Sequence, residues 1–119
     1  MGTMADFVAA GKVDELPDGA MKKVTAQGYE ILLARAGAKY YAADNRCPHL
    51  GADLSQGKLE GTVVTCPRHG SQFDLTDGRV IRWTNWSGLV SKLGRVLKPP
   101  RQLTVYKTKV EAGRVLIEI

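Results

Sequence analysis

Short apolar runs, separated by turns that contain glycine, follow one another along most of the chain. Runs of this length predict β-strands, and the turn residues between them predict hairpins. The predicted strands are residues 7–10, 21–25, 29–35, 39–44, 58–60, 63–65, 72–74, 79–81, 103–110 and 114–119. The pattern therefore indicates an all-β fold built from antiparallel hairpins.

One segment, residues 82–100, shows a different period. The apolar residues that recur there at helical spacing are Leu89, Val90, Leu93, Val96 and Leu97. Ser87 is suited to cap a helix and Pro99 to stop it, whereas Gly94 weakens it. We predict that this insertion contains one short amphipathic helix.

The length of the chain, 119 residues, predicts a single domain over residues 1–119 with a modest core. No run of about 18 apolar residues could span a membrane. The N-terminus also lacks the basic and apolar regions of a signal peptide. We therefore expect a cytoplasmic protein that is not associated with a membrane.

All the cysteines and histidines of the chain, two of each, fall in two short stretches, CPHLG at 47–51 and CPRHG at 66–70. Two thiolates suit one iron of a 2Fe-2S cluster, and two neutral imidazoles can replace the usual second cysteine pair on the other iron. Structural zinc also takes two Cys and two His, but its ligand pairs usually keep at least two residues between partners, unlike Cys47 and His49. A disulfide is the third interpretation, and a cytosolic location disfavours it.

The segments CPHLGAD at 47–53 and CPRHGSQFD at 66–74 resemble the Rieske iron-sulfur family. The resemblance implies a Rieske-like antiparallel β-sandwich whose small subdomain carries the cluster on two facing loops. We call these the first ligand loop (residues 46–54) and the second ligand loop (residues 66–71). The four implied ligands of one 2Fe-2S cluster are Cys47, His49, Cys66 and His69.

This resemblance also implies a function. Rieske ferredoxins are soluble one-electron carriers, which here would pass electrons from a flavin-dependent reductase to a terminal oxygenase. We identify no candidate nucleophile and no mononuclear-iron triad, so we expect no catalytic residue and no enzymatic activity of the chain alone. Two alternatives stay open: a subunit of a larger oxidoreductase, such as the small subunit of cytoplasmic nitrite reductase, and a non-redox binding module with a structural metal.

Several positions depart from the respiratory and photosynthetic members of this family. Those proteins carry an extra cysteine in each loop, at positions that look equivalent to Ala52 and Arg68. They also have a tyrosine hydroxyl that bonds to sulfur where this chain has Phe73. Losing that hydrogen bond lowers the reduction potential. We therefore expect a reduction potential that is low for a Rieske protein.

Gly51 and Gly70 are expected to direct backbone N–H groups at the cluster sulfides.

The positive charge of the chain is concentrated in one region. Residues 78–110 contain eight Lys or Arg and no Asp or Glu, whereas the net charge of the whole chain is +5. One interpretation is a docking surface for an acidic partner, with Trp83 and Trp86 as anchors. The other is a helix that covers one end of the sheet with its charges in solvent. No recognition motif supports nucleic-acid binding.

Overall fold

The computed structural model of the chain describes residues 7–48, 51–68, 70–82 and 102–118. These ranges form eleven β-strands and one turn of 3-10 helix at Leu54–Gln56. The strands are β1 (Phe7–Lys12), β2 (Met21–Ala26), β3 (Tyr29–Ala36), β4 (Lys39–Asp44), β5 (Lys58–Glu60), β6 (Val63–Thr65), β7 (Gln72–Asp74), β8 (Val80–Arg82), β9 (Val105–Tyr106), β10 (Thr108–Glu111) and β11 (Arg114–Glu118).

The strands form three sheets, and every pairing is antiparallel. The meander sheet has the order β2-β3-β4-β9, and the terminal sheet has the order β1-β11-β10. Strands β5 to β8 follow one another in the third sheet, which we call the ligand-loop sheet. The predicted all-β antiparallel fold is confirmed.

The predicted helix of the insertion, with Trp83 and Trp86, lies outside the described residues. The described residues contain no helix with the length and apolarity that a membrane span requires.

Strand β3 organises the core because both of its faces are buried. Its side chains alternate between the two faces of the sheet. Leu32 and Ala34 belong to a buried cluster that includes residues of the ligand-loop sheet. Ile31 and Leu33 belong to a second cluster, which includes residues of the terminal sheet. The meander sheet therefore supports the ligand-loop sheet from one face while the terminal sheet covers the other.

The main difference from the sequence prediction is at residues 103–110, which were expected to form one strand. Two strands are present, because β9 pairs with β4 in the meander sheet whereas β10 pairs with β11 in the terminal sheet. Lys107 lies between them, and its carbonyl accepts a hydrogen bond from the N–H of Glu118. The chain thus crosses from one sheet to the other at a single residue.

Candidate metal centre

The first ligand loop follows β4 and is closed by backbone hydrogen bonds. An antiparallel bridge joins Arg46 to Asp53 at its base, and the N–H of Cys47 donates to the carbonyl of Ala52 at 2.8 Å. Gly51 has a φ of 75°, and its N–H donates to the carbonyl of Cys47 at 2.7 Å. The prediction that this N–H points at a cluster sulfide is therefore wrong, because the amide closes the loop instead.

The second ligand loop connects β6 to β7 and repeats the same arrangement. Thr65 pairs with Gln72 at its base, and the N–H of Cys66 donates to the carbonyl of Ser71 at 2.7 Å. Gly70 has a φ of 71°. In both loops a glycine therefore adopts the left-handed conformation at the fourth residue after the cysteine. The two loops share one backbone design, and in sequence they differ in the position of the histidine by one residue.

The two thiols are buried in the same part of the core. Cys47 and Cys66 are 2% and 4% exposed, and both belong to the cluster that includes residues of the meander and ligand-loop sheets. No disulfide joins them, so the disulfide interpretation is wrong. A cleft of about 360 Å³ is lined by residues 51–53 of the first loop and by Pro67 and Arg68 of the second. The two loops therefore face each other, as the sequence predicted.

This donor set fits a 2Fe-2S cluster. Two buried thiols on equivalent loops are the soft ligands that one iron of such a cluster requires. His49 and His69 lie outside the described residues, so their place beside the thiols stays a prediction.

Asn45 fixes the base of the first ligand loop, a role that the sequence analysis missed. Its side chain is fully buried, and its Oδ1 accepts a hydrogen bond from the N–H of Ser55 at 3.0 Å. Its backbone N–H donates to Glu30 in β3, and its carbonyl accepts from Leu54 at 2.7 Å. One asparagine thus joins both ends of the loop to the meander sheet. Its position two residues before Cys47 was the available signal.

Arg82 is a second residue whose role was not predicted. It is the last residue of β8, and its Nε donates to the carbonyl of Gly70 at 3.0 Å. Gly70 directly follows His69. The insertion therefore starts beside the second ligand loop.

Asp74 holds the turn that follows β7. Its Oδ1 accepts hydrogen bonds from Thr62 and from the backbone and hydroxyl of Thr76, and its Oδ2 lies 3.0 Å from the guanidinium of Arg79. Burial raises the pKa of Asp74, but the bonds from Thr76 and Thr62 and the charge of Arg79 lower it more, so the net pKa is lowered. The ionised carboxylate therefore stabilises the ligand-loop sheet.

We predict that Asp74→Asn lowers the free energy of unfolding by about 2 kcal/mol at neutral pH, because a buried, charge-assisted network loses its charge. A group with a lowered folded pKa stabilises the fold above its ordinary pKa and loses that effect as the pH falls through the folded value. The difference between the two proteins should thus narrow only below the ordinary value of 3.8. Thermal unfolding at a series of pH values measures this difference in the free energy of unfolding.

Asp77→Asn, at a carboxylate that is 51% exposed, is the control and should lower the free energy of unfolding by less than about 1 kcal/mol. Equal losses in both variants would contradict the assignment.

Comparisons with known proteins place this centre in a family. Residues 6–98 match the Rieske [2Fe-2S] domain. The ferredoxin component of a naphthalene 1,2-dioxygenase system from Pseudomonas aeruginosa is 31% identical over 113 residues, which cover 95% of each chain. The ferredoxin component of an alkene monooxygenase system from Xanthobacter autotrophicus is 32% identical over 113 residues, covering 94% of this chain and 80% of that protein.

Solved structures show the same fold. The ferredoxin of carbazole 1,9a-dioxygenase from Nocardioides aromaticivorans superposes with a TM-score of 0.78 at 23% identity, covering 95% of this chain and 97% of that one. A ferredoxin in complex with the oxygenase of carbazole 1,9a-dioxygenase gives a TM-score of 0.75 at 25% identity, covering 94% and 92%. On the sequence match, the fold and the paired loops, this chain belongs to the Rieske [2Fe-2S] domain family.

Proposed function

We propose that this protein is a one-electron carrier that passes electrons from a flavin-dependent reductase to a terminal oxygenase. Its cofactor is one 2Fe-2S cluster, which when bound gains and releases single electrons. The residues that we assign as ligands are Cys47, His49, Cys66 and His69. The observation that carries the proposal is the pair of equivalent loops that bury one thiol each.

The chain's own residues set the conditions for this chemistry. Burial of Cys47 and Cys66 keeps water away from the thiolates, which strengthens every electrostatic interaction around them. Pro67 and Arg68 are exposed beside the cleft between the loops, so this end of the molecule reaches the surface. The proposed centre is therefore shielded from water on the side of the core, where the cysteines are buried, and accessible to a partner on the side of Pro67 and Arg68.

The names of the relatives support an oxygenase as the electron acceptor. The similar proteins are ferredoxin components of dioxygenase and monooxygenase systems, and one similar ferredoxin is in complex with its oxygenase. No observation favours the alternative of a nitrite reductase subunit. We place the protein, as a single Rieske domain, in the cytoplasm, where thiols stay reduced and remain ligands.

Metal analysis and spectroscopy of the anaerobically purified protein test the proposal. We expect two irons and two sulfides per chain, uptake of one electron in a reductive titration, and a Rieske-type electron paramagnetic resonance signal in the reduced state. Reduction by a flavin-dependent reductase and reoxidation by an oxygenase would then establish the carrier role. Cys66→Ser is the matched control and should lose the signal. One zinc per chain, with no signal, would overturn the proposal.

Phe73→Tyr is predicted to raise the reduction potential. Phe73 is fully buried in the same hydrophobic cluster as both cysteines, and the resemblance places the sulfur-directed tyrosine of other family members at this position, so we expect the added hydroxyl to reach a sulfur ligand. One added hydrogen bond of about 0.5–1.5 kcal/mol corresponds to roughly 20–60 mV for a one-electron couple. Voltammetry measures the shift. Phe73→Leu, which adds no hydroxyl, should leave the potential nearly unchanged, and an equal shift in both variants would contradict the explanation.

A further inference from the structure

An open cleft of about 740 Å³ lies where the meander sheet and the terminal sheet meet. Its lining consists of six consecutive residues, 105–110, of residues 38–41 beside them, and of Leu75 and Thr76. The two stretches are in direct contact, because the hydroxyl of Thr108 donates to the carbonyl of Tyr40 at 2.7 Å. The six-residue stretch consists of β9, Lys107 and the first part of β10, and it extends over roughly 20 Å. A lining of this shape is suited to an extended segment rather than to a compact ligand.

The charge of the cleft has one sign. Its lining includes Lys39, Lys107 and Lys109 and, among the described residues, no Asp or Glu. Within the described ranges no ion pair involves Lys39 or Lys107. Lys109 lies 3.4 Å from the carboxylate of Glu111 and 4.3 Å from the ring centroid of Phe7. Two of the three ammonium groups are thus available to an anionic partner.

Apolar surface accompanies these charges. Tyr41 and Tyr106, which are both half-buried, line the cleft, and Val110, at the end of the six-residue stretch, is 54% exposed. The hydroxyl of Tyr106 donates to Asp44 at 2.6 Å, which fixes the ring. Strand β10 is one of the two edge strands of the terminal sheet. An extended segment that alternates acidic and apolar side chains would place the acidic ones beside the lysines and the apolar ones beside Tyr41, Tyr106 and Val110.

We propose that this cleft binds an extended acidic segment of a partner protein. The positive charges of Lys39, Lys107 and Lys109 in its lining attract such a segment from a distance. Strand β4 runs from Lys39 at the cleft to Asp44, roughly 17 Å farther on, before the chain reaches Cys47. A partner held in the cleft therefore leaves the two ligand loops accessible to another protein.

Fluorescence anisotropy on the full chain with its cluster tests the proposal. The probe is a labelled peptide in which glutamate alternates with valine. We expect saturable binding that weakens as salt is added. The triple variant Lys39→Gln, Lys107→Gln, Lys109→Gln should weaken binding about tenfold.

The matched control is Lys12→Gln, Lys58→Gln, Arg114→Gln, which removes the same charge from exposed residues that do not line the cleft. It should change the dissociation constant less than about twofold. Equal weakening in both triple variants would overturn the proposal, because it would show attraction by net charge alone. Sedimentation that shows self-association through the cleft would also overturn it, because a second copy would then be the occupant. These measurements do not depend on electron transfer, so they can fail while the carrier function stands.

Discussion

Replacement of His69 by cysteine is expected to lower the reduction potential of the cluster by roughly 200 mV or more, if the cluster assembles. The thiolate adds a negative charge to the iron that it binds, so an added electron meets more Coulomb repulsion. Four-cysteine ferredoxins have potentials near −400 mV, below the range of clusters with two histidine ligands. Square-wave voltammetry of the two purified proteins measures the difference.

Arg46→Gln is the control for this comparison. Arg46 precedes Cys47 and is exposed, so its charge is screened by water and salt. Its removal should shift the potential by tens of millivolts at most. A potential of His69→Cys that stays within this small range would refute the assignment of His69 as a ligand.

Most strands were predictable because the information that forms them is local. β5 and β6 occupy the predicted residues 58–60 and 63–65, and their hairpin turns at Gly61. β8 was displaced by only one residue from its predicted range of 79–81. Short apolar runs and adjacent turn residues specify such hairpins without help from distant parts of the chain.

The partition of strands among sheets was not predictable in this way. Residues 103–110 resemble one strand, because apolar and β-branched residues are interrupted only by Lys107 and Lys109. They nevertheless belong to two sheets, since Val105 pairs with Ala43 while Thr108 pairs with Ile117. The hydroxyl of Thr108 also donates to the carbonyl of Tyr40 at 2.7 Å. These partners are far away in sequence, and only the tertiary structure specifies them.

The candidate site divides in the same manner. The cysteines and the facing loops followed from residue types and spacing, because thiolate chemistry and turn residues are visible in the sequence. Equivalent backbone hydrogen bonds close both loops, and Asn45 and Arg82 act by bonding to backbone groups. Such interactions cannot be predicted from residue types, because every residue except proline has the same backbone groups. The repeated Cys-Pro with glycine at the fourth residue was the one local sign of that shared design.

Gly78→Ala is expected to lower the free energy of unfolding by about 4 kcal/mol or more. A Cβ at Gly78 would lie 2.0 Å from the carbonyl oxygen of Leu103, and the residue has a φ of 82°. The contact cannot open freely, because the N–H of Leu103 donates to the carbonyl of Gly78 at 2.9 Å and that of Gly78 donates to Asp74 at 2.7 Å. The new methyl group must therefore displace backbone at the point where the chain returns to the ligand-loop sheet.

Gly28→Ala separates the two components of this effect. Gly28 has nearly the same φ, 84°, but apart from its chain neighbours no atom lies within 4 Å of the position that a Cβ would occupy, so only the strain of the left-handed conformation remains. That strain of about 1–2 kcal/mol should lower the melting temperature by roughly 5 °C, whereas Gly78→Ala should lower it by about 15 °C. Thermal unfolding of both variants with the cluster bound measures the two shifts. Equal shifts would show that conformational strain, and not the approach of Leu103, makes glycine necessary at residue 78.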